Sequence, residues 1–265
     1  MTELMVVVCM KVVPKPEEIR VDPETRRIER GQVRSEINPP DMNALEVALR
    51  LKDLHQARVV ILSMGPPLFE EYLRVGLAMG ADEVVLLSDQ LFAGADTLAT
   101  TYTLAKGIEK IGQPDLIICG EESSDGATGQ VPPGIAEWLD QPQITLVADL
   151  EVDLQRQVVR GRREIGGGFE VLEAPMPAVI SVKTASNEPR FMDYEIKEDA
   201  FTGKNLTVWT HEDIESDKEY IGTPGSPTIV SGFEQAAVRE RKRQFLTGAR
   251  DEVIRKLVDV LREYL

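Results

Sequence analysis

The sequence predicts an α/β protein with a doubly wound, mostly parallel sheet, later antiparallel strands and a C-terminal helical arm. Three observations carry this expectation. Short, nearly continuous apolar runs alternate with amphipathic stretches as far as about residue 143, the rhythm of strands covered by helices on both faces. Beyond that point strand-like pieces follow one another with no helical pattern between them. Residues 231–265 then return to helical periodicity.

Taken in order, Leu4–Val8 is an apolar, β-branched run and reads as the first strand. Pro39-Pro40 opens the first helix, and its Leu45, Ala48 and Leu49 fall at i, i+3 and i+4. Arg58–Leu62 is the next strand, and the helix after Pro66-Pro67 ends near Gly80. Glu83–Leu87 leads to a helix with Leu98, Tyr102, Ala105 and Ile108 along one face. Asp115–Cys119 leads to another, carrying Val131, Ile135, Trp138 and Leu139. Ile144–Val147, Gln157–Arg162, Phe169–Glu173 and Ala178–Val182 are the later strands, expected to pair antiparallel, with Gly166-Gly167-Gly168 as a turn between two of them. Residues 186–230 are loop-rich, with turn signals at Thr223-Pro224-Gly225-Ser226-Pro227. Ser231 and Glu234 have capping-box spacing, and Ile254, Leu257, Val258 and Leu261 form an apolar stripe. That last helix is either an arm for a partner or a helix folded back on its own domain. The divisions are thus an α/β domain over 1–185, a loop and linker over 186–230, and a helical arm over 231–265.

At 265 residues the chain is long enough to bury roughly 73% of its unfolded surface without staples. Its net charge of −15 repels phosphate backbones and argues against nucleic acid. Residues 1–200 hold 20 basic and 34 acidic side chains, whereas 201–265 hold 10 and 11, so the charge lies in the α/β domain and the segment after it. Two cysteines 110 residues apart exclude a disulfide scaffold, a CxxC site and a cysteine-ligated iron–sulfur cluster within the chain. Two histidines, His55 and His211, suggest no zinc site. No apolar run approaches 18 residues, so no membrane span is expected. Leu4-Met5-Val6-Val7-Val8 follows the start without a basic region or cleavage site, so a cytoplasmic address is expected.

The sequence holds no GxGxxG after a strand, no GxxxxGK[ST], no GxSxG and no HExxH. Neither histidine has an evident strand-end setting, which disfavours hydrolytic catalysis. The positive signals lie where open α/β sheets bind ligands, in the loops after strands. These are Val8-Cys9-Met10-Lys11, then Ser63-Met64-Gly65-Pro66-Pro67, then residues 93–100 with Asp96 as a helix N-cap, then residues 120–133. The last is the best candidate. Its Ser, Thr and Gly residues lead into a helix whose first N–H groups can hold phosphate without large positive charge. Alternatively, Thr128 caps that helix and Gly126 and Gly129 serve the turn. Cys9 and Cys119 end apolar strands and read as buried small residues rather than reactive thiols.

Together, these loops resemble the β (small) subunit of electron transfer flavoproteins from about residue 4 to 230. The ordered blocks are Val8-Cys9-Met10-Lys11, Ile37-Asn38-Pro39, Ala48–Lys52, Ser63-Met64-Gly65-Pro66, Ala78-Met79-Gly80-Ala81-Asp82, Asp125-Gly126-Ala127-Thr128-Gly129-Gln130 and Asn187-Glu188-Pro189-Arg190. The resemblance implies an adenine-nucleotide α-hydrolase-like fold and a heterodimer with an α subunit carrying FAD. It also implies a nucleotide in this chain, either structural AMP or a second FAD. Phe92–Thr100 and Gly225-Ser226-Pro227-Thr228 resemble the flavin-bifurcating branch, which implies FAD here and NADH as a possible donor.

Carried over by motif, Cys9 and Met10 contact the nucleotide through backbone, along with Asn38, Asp41 and Gly65. Asp96, Thr97 and Thr100 approach the flavin side, and Asp125, Gly126, Thr128, Gly129, Gln130 and Val131 the phosphates. The resemblance assigns no catalytic acid or base and no metal. Residues 186–230 become a partner-recognition loop and linker toward an acyl-CoA dehydrogenase-like or other redox protein. Three departures stand out: Glu121-Glu122 where a basic residue and Gln are usual, Ala127 at a commonly acidic position, and Phe191–Asp199 as the continuation of the recognition loop. An adenylating enzyme of this fold would need an SGGxDS-type loop where Cys9-Met10-Lys11-Val12 stands. A stand-alone nucleotide sensor would be a stable monomer.

Overall fold

The computed structural model describes residues 4–15, 34–184, 186–229 and 245–262. β1 (Met5–Cys9) is buried from Val6 onward, as its apolar run requires. The short strands β2 (Val12–Pro14) and β3 (Ser35–Ile37) pair antiparallel and bring the chain to α1 (Pro39–His55). Then come β4 (Arg58–Met64), α2 (Phe69–Met79), β5 (Glu83–Leu87), α3 (Thr97–Ile111), β6 (Leu116–Gly120) and α4 (Val131–Trp138). Gly80 ends α2 in the left-handed conformation that glycine adopts without strain.

Among the described residues, the main sheet has nine strands. β11 (Leu206–Trp209), β5, β4, β1, β6 and β10 (Ala178–Val182) lie in that order, followed by β7 (Gln143–Asp153), β8 (Val158–Ile165) and β9 (Gly168–Pro175). β1 pairs parallel with β4 and β6, with Val8 opposite both Ile61 and Ile118. Two apolar cores cover its faces. Leu45, Leu49, Leu73 and Leu77 of α1 and α2 pack on one, and Tyr102, Leu104, Ile108 and Ile135 of α3 and α4 on the other. The sheet is therefore doubly wound.

The later strands only partly follow the antiparallel expectation. β8 pairs antiparallel with β7 and β9 around the Gly166-Gly167 turn, but β10 is parallel to both β6 and β7. All five residues of β10 are buried, and such continuous burial belongs to a central parallel strand. β7 changes partner along its length: the register slips near Val147, and Leu146 takes a positive φ of 58°.

Two elements arise where only loops were expected. α5 (Tyr194–Thr202) is N-capped by Asp193, and β11 adds a parallel edge strand beside β5. Asn187 and Asn43 exchange side-chain-to-backbone hydrogen bonds of 2.8 and 3.1 Å. Arg190 reaches Glu46 at 2.9 Å and Asp53 at 2.8 Å. These contacts fix the base of the 186–199 segment to α1. Burial raises the Glu46 carboxyl, but the Arg190 and Arg50 contacts outweigh it and hold the group below its ordinary range.

The described residues 245–262 belong to a second unit. Its described helix, α6 (Arg250–Arg262), leaves Ile254, Leu257, Val258 and Leu261 exposed. The Ser231 and Glu234 capping positions lie outside the described residues. Among the described residues, no helix is long and apolar enough to cross a membrane.

Candidate functional site

The chain leaves β1 for β4 and β5 on one side, then returns to β6 on the other. The carboxyl ends of β1 and β6 therefore flank a topological switch point, where diverging loops open a crevice. Asn38 and Asp41 set its floor. Asn38 is fully buried, and its amide is used at both ends: Nδ2 donates to Glu122 O at 2.9 Å, and Oδ1 accepts from Ser124 N at 3.0 Å. The Asp41 carboxylate accepts from Lys11 N at 2.7 Å and from Gly120 N at 3.2 Å. A side chain at Gly120 would run into that carboxylate and Pro40, so glycine is what lets α1 approach the end of β6. Burial pushes the Asp41 carboxyl up to about 7, against the lowering pull of the Lys11 N–H, Asn38, the Gly120 N–H and the Lys11 charge. Both side chains thus clamp the start of α1 to the loops after β1 and β6.

Lys11 was assigned no role from sequence, yet it spans the same crevice. Its ammonium donates to Asp125 Oδ1 at 2.6 Å and to Ser123 Oγ at 3.4 Å. The sequence signals were its place after a strand end and within the Val8-Cys9-Met10-Lys11 block. Glu121 Oε1 accepts from Thr184 N at 2.7 Å, just beyond the end of β10.

Residues 123–130 form an exposed to half-buried turn, with Ala127 at φ 46° and Gly129 at φ 61°. Thr128 does not cap α4. The N-cap is Gln130, which makes no side-chain cap bond, and Thr128 Oγ1 instead accepts from Gln130 N at 3.4 Å. Prolines at 132 and 133 contribute no N–H to the first turn. No capping carboxylate stands at the α4 N-terminus, but with two of its first N–H groups missing its partial positive charge is reduced. Val131 begins the helix and packs half-buried on the core.

The α3 N-terminus is different. Asp96 caps it as expected, with Oδ1 accepting from Leu98 N and Ala99 N at 3.0 and 3.1 Å. Its Oδ2 accepts from Thr228 N at 3.0 Å and Thr228 Oγ1 at 2.7 Å, while Asp96 N donates to Ser226 Oγ at 2.8 Å. Burial raises this carboxyl, but the bonds from Thr228, Ala99 and Leu98 outweigh it and hold it below the ordinary range. A strap from about residue 210 to 228 is thereby tied to the β5–α3 loop. At its start, His211 Nδ1 lies 2.8 Å from Asp89 Oδ2. His211 thus stands at a strand end after all, directly beyond β11.

Thr97 and Thr128 join the two helix starts, Oγ1 to Oγ1 at 3.5 Å, and Thr100 lies half-buried in the first turn of α3. Of the remaining expected residues, Cys9 and Met10 are buried at the end of β1 on opposite faces, and Met10 N donates to Leu62 O at 2.9 Å. Cys9 stands opposite Cys119 in the ladder; contact with Cys9 and then burial push the Cys119 thiol well up, so both read as core groups. Gly65 ends β4, its N–H donating to Leu87 O at 3.0 Å. Among the described residues, no hydrogen bond joins Gly65 to the 121–131 loop.

The donor set suits a nucleotide phosphate: hydroxyls of Ser123, Ser124 and Thr128, an uncapped helix N-terminus, the Lys11 ammonium, and a left-handed Gly129 that exposes backbone. Among the described residues, no group of acidic, His or Cys side chains could hold a metal ion.

An electron transfer flavoprotein domain matches residues 25–213. An electron transfer flavoprotein subunit beta from Clostridium acetobutylicum is 45% identical over 90% of both chains. The caffeyl-CoA reductase-Etf complex subunit CarD of Acetobacterium woodii is 40% identical over 98% of both. Protein FixA of Azotobacter vinelandii is 41% identical over 91% of this chain and 87% of its own.

Proposed function

The chain belongs to the electron transfer flavoprotein family as a β subunit, and from that premise we propose that its switch-point crevice binds FAD. In this reading it passes electrons between NADH or a dehydrogenase and the FAD of its α subunit. Pairing with an α subunit and a part in electron transfer come with the family.

The observation that carries the reading is the contrast between two neighbouring helix starts. The α3 N-terminus is occupied by the Asp96 carboxylate, whereas that of α4 has no side-chain cap and is preceded by the Thr128 hydroxyl and the left-handed Gly129. Phosphates belong at the open one. Asn38 and Asp41 then act through the loops they clamp, keeping the crevice walls at fixed spacing. When bound, the flavin supplies the ability to take electrons in pairs and hand them on singly. The chain's own residues bind, orient and shield it, and none is needed as an acid or base.

FAD rather than AMP is favoured by the resemblance of Phe92–Thr100 and Gly225–Thr228 to the bifurcating branch, because both segments meet at Asp96 beside the crevice. The name of the caffeyl-CoA reductase-Etf relative favours an acyl-CoA dehydrogenase-like partner. The alternative is the same carrier with structural AMP. Nucleotides released by denaturing the purified heterodimer decide the matter. Two FAD per heterodimer are expected; one FAD and one AMP would establish the alternative. Reduction of the bound flavins by NADH tests the donor.

A further inference from the structure

We propose that Cys9 and Cys119 are a modification site, a dithiol that a peroxide converts to a disulfide joining β1 to β6 beneath the crevice. The pair acts whichever nucleotide the crevice holds.

The ladder sets the two residues side by side. β1 and β6 pair in parallel register, and Cys9 lies opposite Cys119 as the last pair of that ladder. Both side chains enter the same apolar core, the one covered by α3 and α4, and both are free thiols. They are hydrogen-bond neighbours, and no other cysteine occurs in the chain to compete for either. Adjacent strands run about 4.8 Å apart. Disulfides span Cα atoms about 4.4–6.8 Å apart, so the bond is within reach without breaking the sheet.

Contact with Cys9 and then burial keep Cys119 protonated, so Cys9 reacts first. Its sulfur attacks one peroxide oxygen, the O–O bond breaks, and one water leaves a sulfenic acid on Cys9. The Cys119 sulfur then displaces the sulfenic oxygen, which departs with the Cys119 proton as a second water. Two thiols and one hydrogen peroxide thus give one disulfide and two waters, and two electrons pass from sulfur to peroxide.

The bond acts on the crevice floor. Gly120 directly follows Cys119, and Lys11 lies two residues after Cys9. Their N–H groups converge on the Asp41 carboxylate at 3.2 and 2.7 Å. Disulfide Cβ atoms sit about 3.8 Å apart, closer than neighbouring strands, so oxidation draws the two strand ends together. The longer bond, from Gly120 N, is the first to be lost.

Treating the purified heterodimer with hydrogen peroxide, followed by alkylation and peptide mass mapping, tests this. The peptides holding Cys9 and Cys119 should appear joined, and dithiothreitol should separate them. Cys119→Ala should leave a sulfenic acid on Cys9 that dimedone traps, whereas Cys9→Ala should slow loss of the Cys119 thiol by about tenfold or more. Amide exchange at Gly120 should quicken by about tenfold in the oxidised chain, the effect of one lost hydrogen bond, and recover on reduction. Two thiols that survive peroxide in the folded heterodimer yet react once denatured overturn the proposal. So does either cysteine joined only to another chain. An unchanged Gly120 amide in the disulfide form overturns the action on the crevice floor.

Discussion

The carboxylate of Asp41 lies where the N–H groups of Lys11 and Gly120 converge, so it serves as an acceptor inside the fold before it serves any ligand. Its carboxyl is pushed up to about 7 by burial, whereas an exposed one titrates near 3.8. Between those values the folded chain holds a proton that the unfolded chain has released. Unfolding then releases that proton, so this residue's contribution to stability falls as pH rises from about 4 to about 7, by at most ~1.4 kcal/mol per pH unit. Asp41→Asn keeps one acceptor oxygen and turns an NH2 group toward the other N–H, costing about 1–2 kcal/mol at pH 5. It also removes the titration. Urea unfolding from pH 5 to 8 should therefore show the wild type's advantage over the variant shrinking as pH rises and reversing by about pH 7; a constant gap would contradict the raised carboxyl. Asn38 and Asp41 stood out in the sequence through the family resemblance, as residues expected at a nucleotide, but their use as clamps did not. That role depends on partners more than 75 residues away, at Gly120 and Ser124.

Helix α3 and the strap share one carboxylate. Asp96 satisfies the orphan N–H groups of Leu98 and Ala99 and also receives both donors of Thr228. Asp96→Ala removes the cap and the anchor together and should destabilise by about 2 kcal/mol. Amide exchange separates the two roles. Asp96→Ala should speed exchange at Leu98 and Ala99, whereas Thr228→Val, which removes only a hydroxyl bond to the same oxygen, should leave those two amides protected. Equal loss in both variants would mean that the strap, not the cap, holds the helix start. The cap was legible because Asp directly before an apolar-periodic run has a local meaning. The four parallel strands from β1 to β6 were legible for a similar reason, since burial on both faces writes itself as continuous apolar runs. β11 was not: Leu206 and Trp209 are half-buried and the two residues between them exposed, so an edge strand leaves too little pattern. α5 buries Ala200 alone, so its sequence carries no stripe.

Across the whole molecule, the parallel topology gathers the loops after β1, β4, β5 and β6 at one end of the sheet, and this is why strand-end position was enough to single out those loops as candidates. Lys11 escaped notice because its partner, Asp125, belongs to a different strand end. The same scale governs encounter with a redox partner. Residues 1–200 carry a 14-charge excess of acid, and the segment after Arg190 exposes Glu195, Glu198 and Asp199 beside Phe191, which is 96% exposed, and Tyr194. The clamp of Arg190 on Glu46 and Asp53 gives that segment a fixed base on α1. Such a surface would attract a basic partner at long range and offer aromatic contact at short range. The attraction is screened as salt shortens the Debye length, so electron-transfer association should slow about tenfold between about 0.05 and about 0.5 M salt. Glu195→Gln with Glu198→Gln should lower the rate at low salt and flatten its salt dependence. Asp193 is left intact because it caps α5. Stopped-flow reduction of the physiological acceptor measures both slopes. A rate indifferent to ionic strength would mean that the acidic balance repels nucleic acid without steering any redox protein to this face.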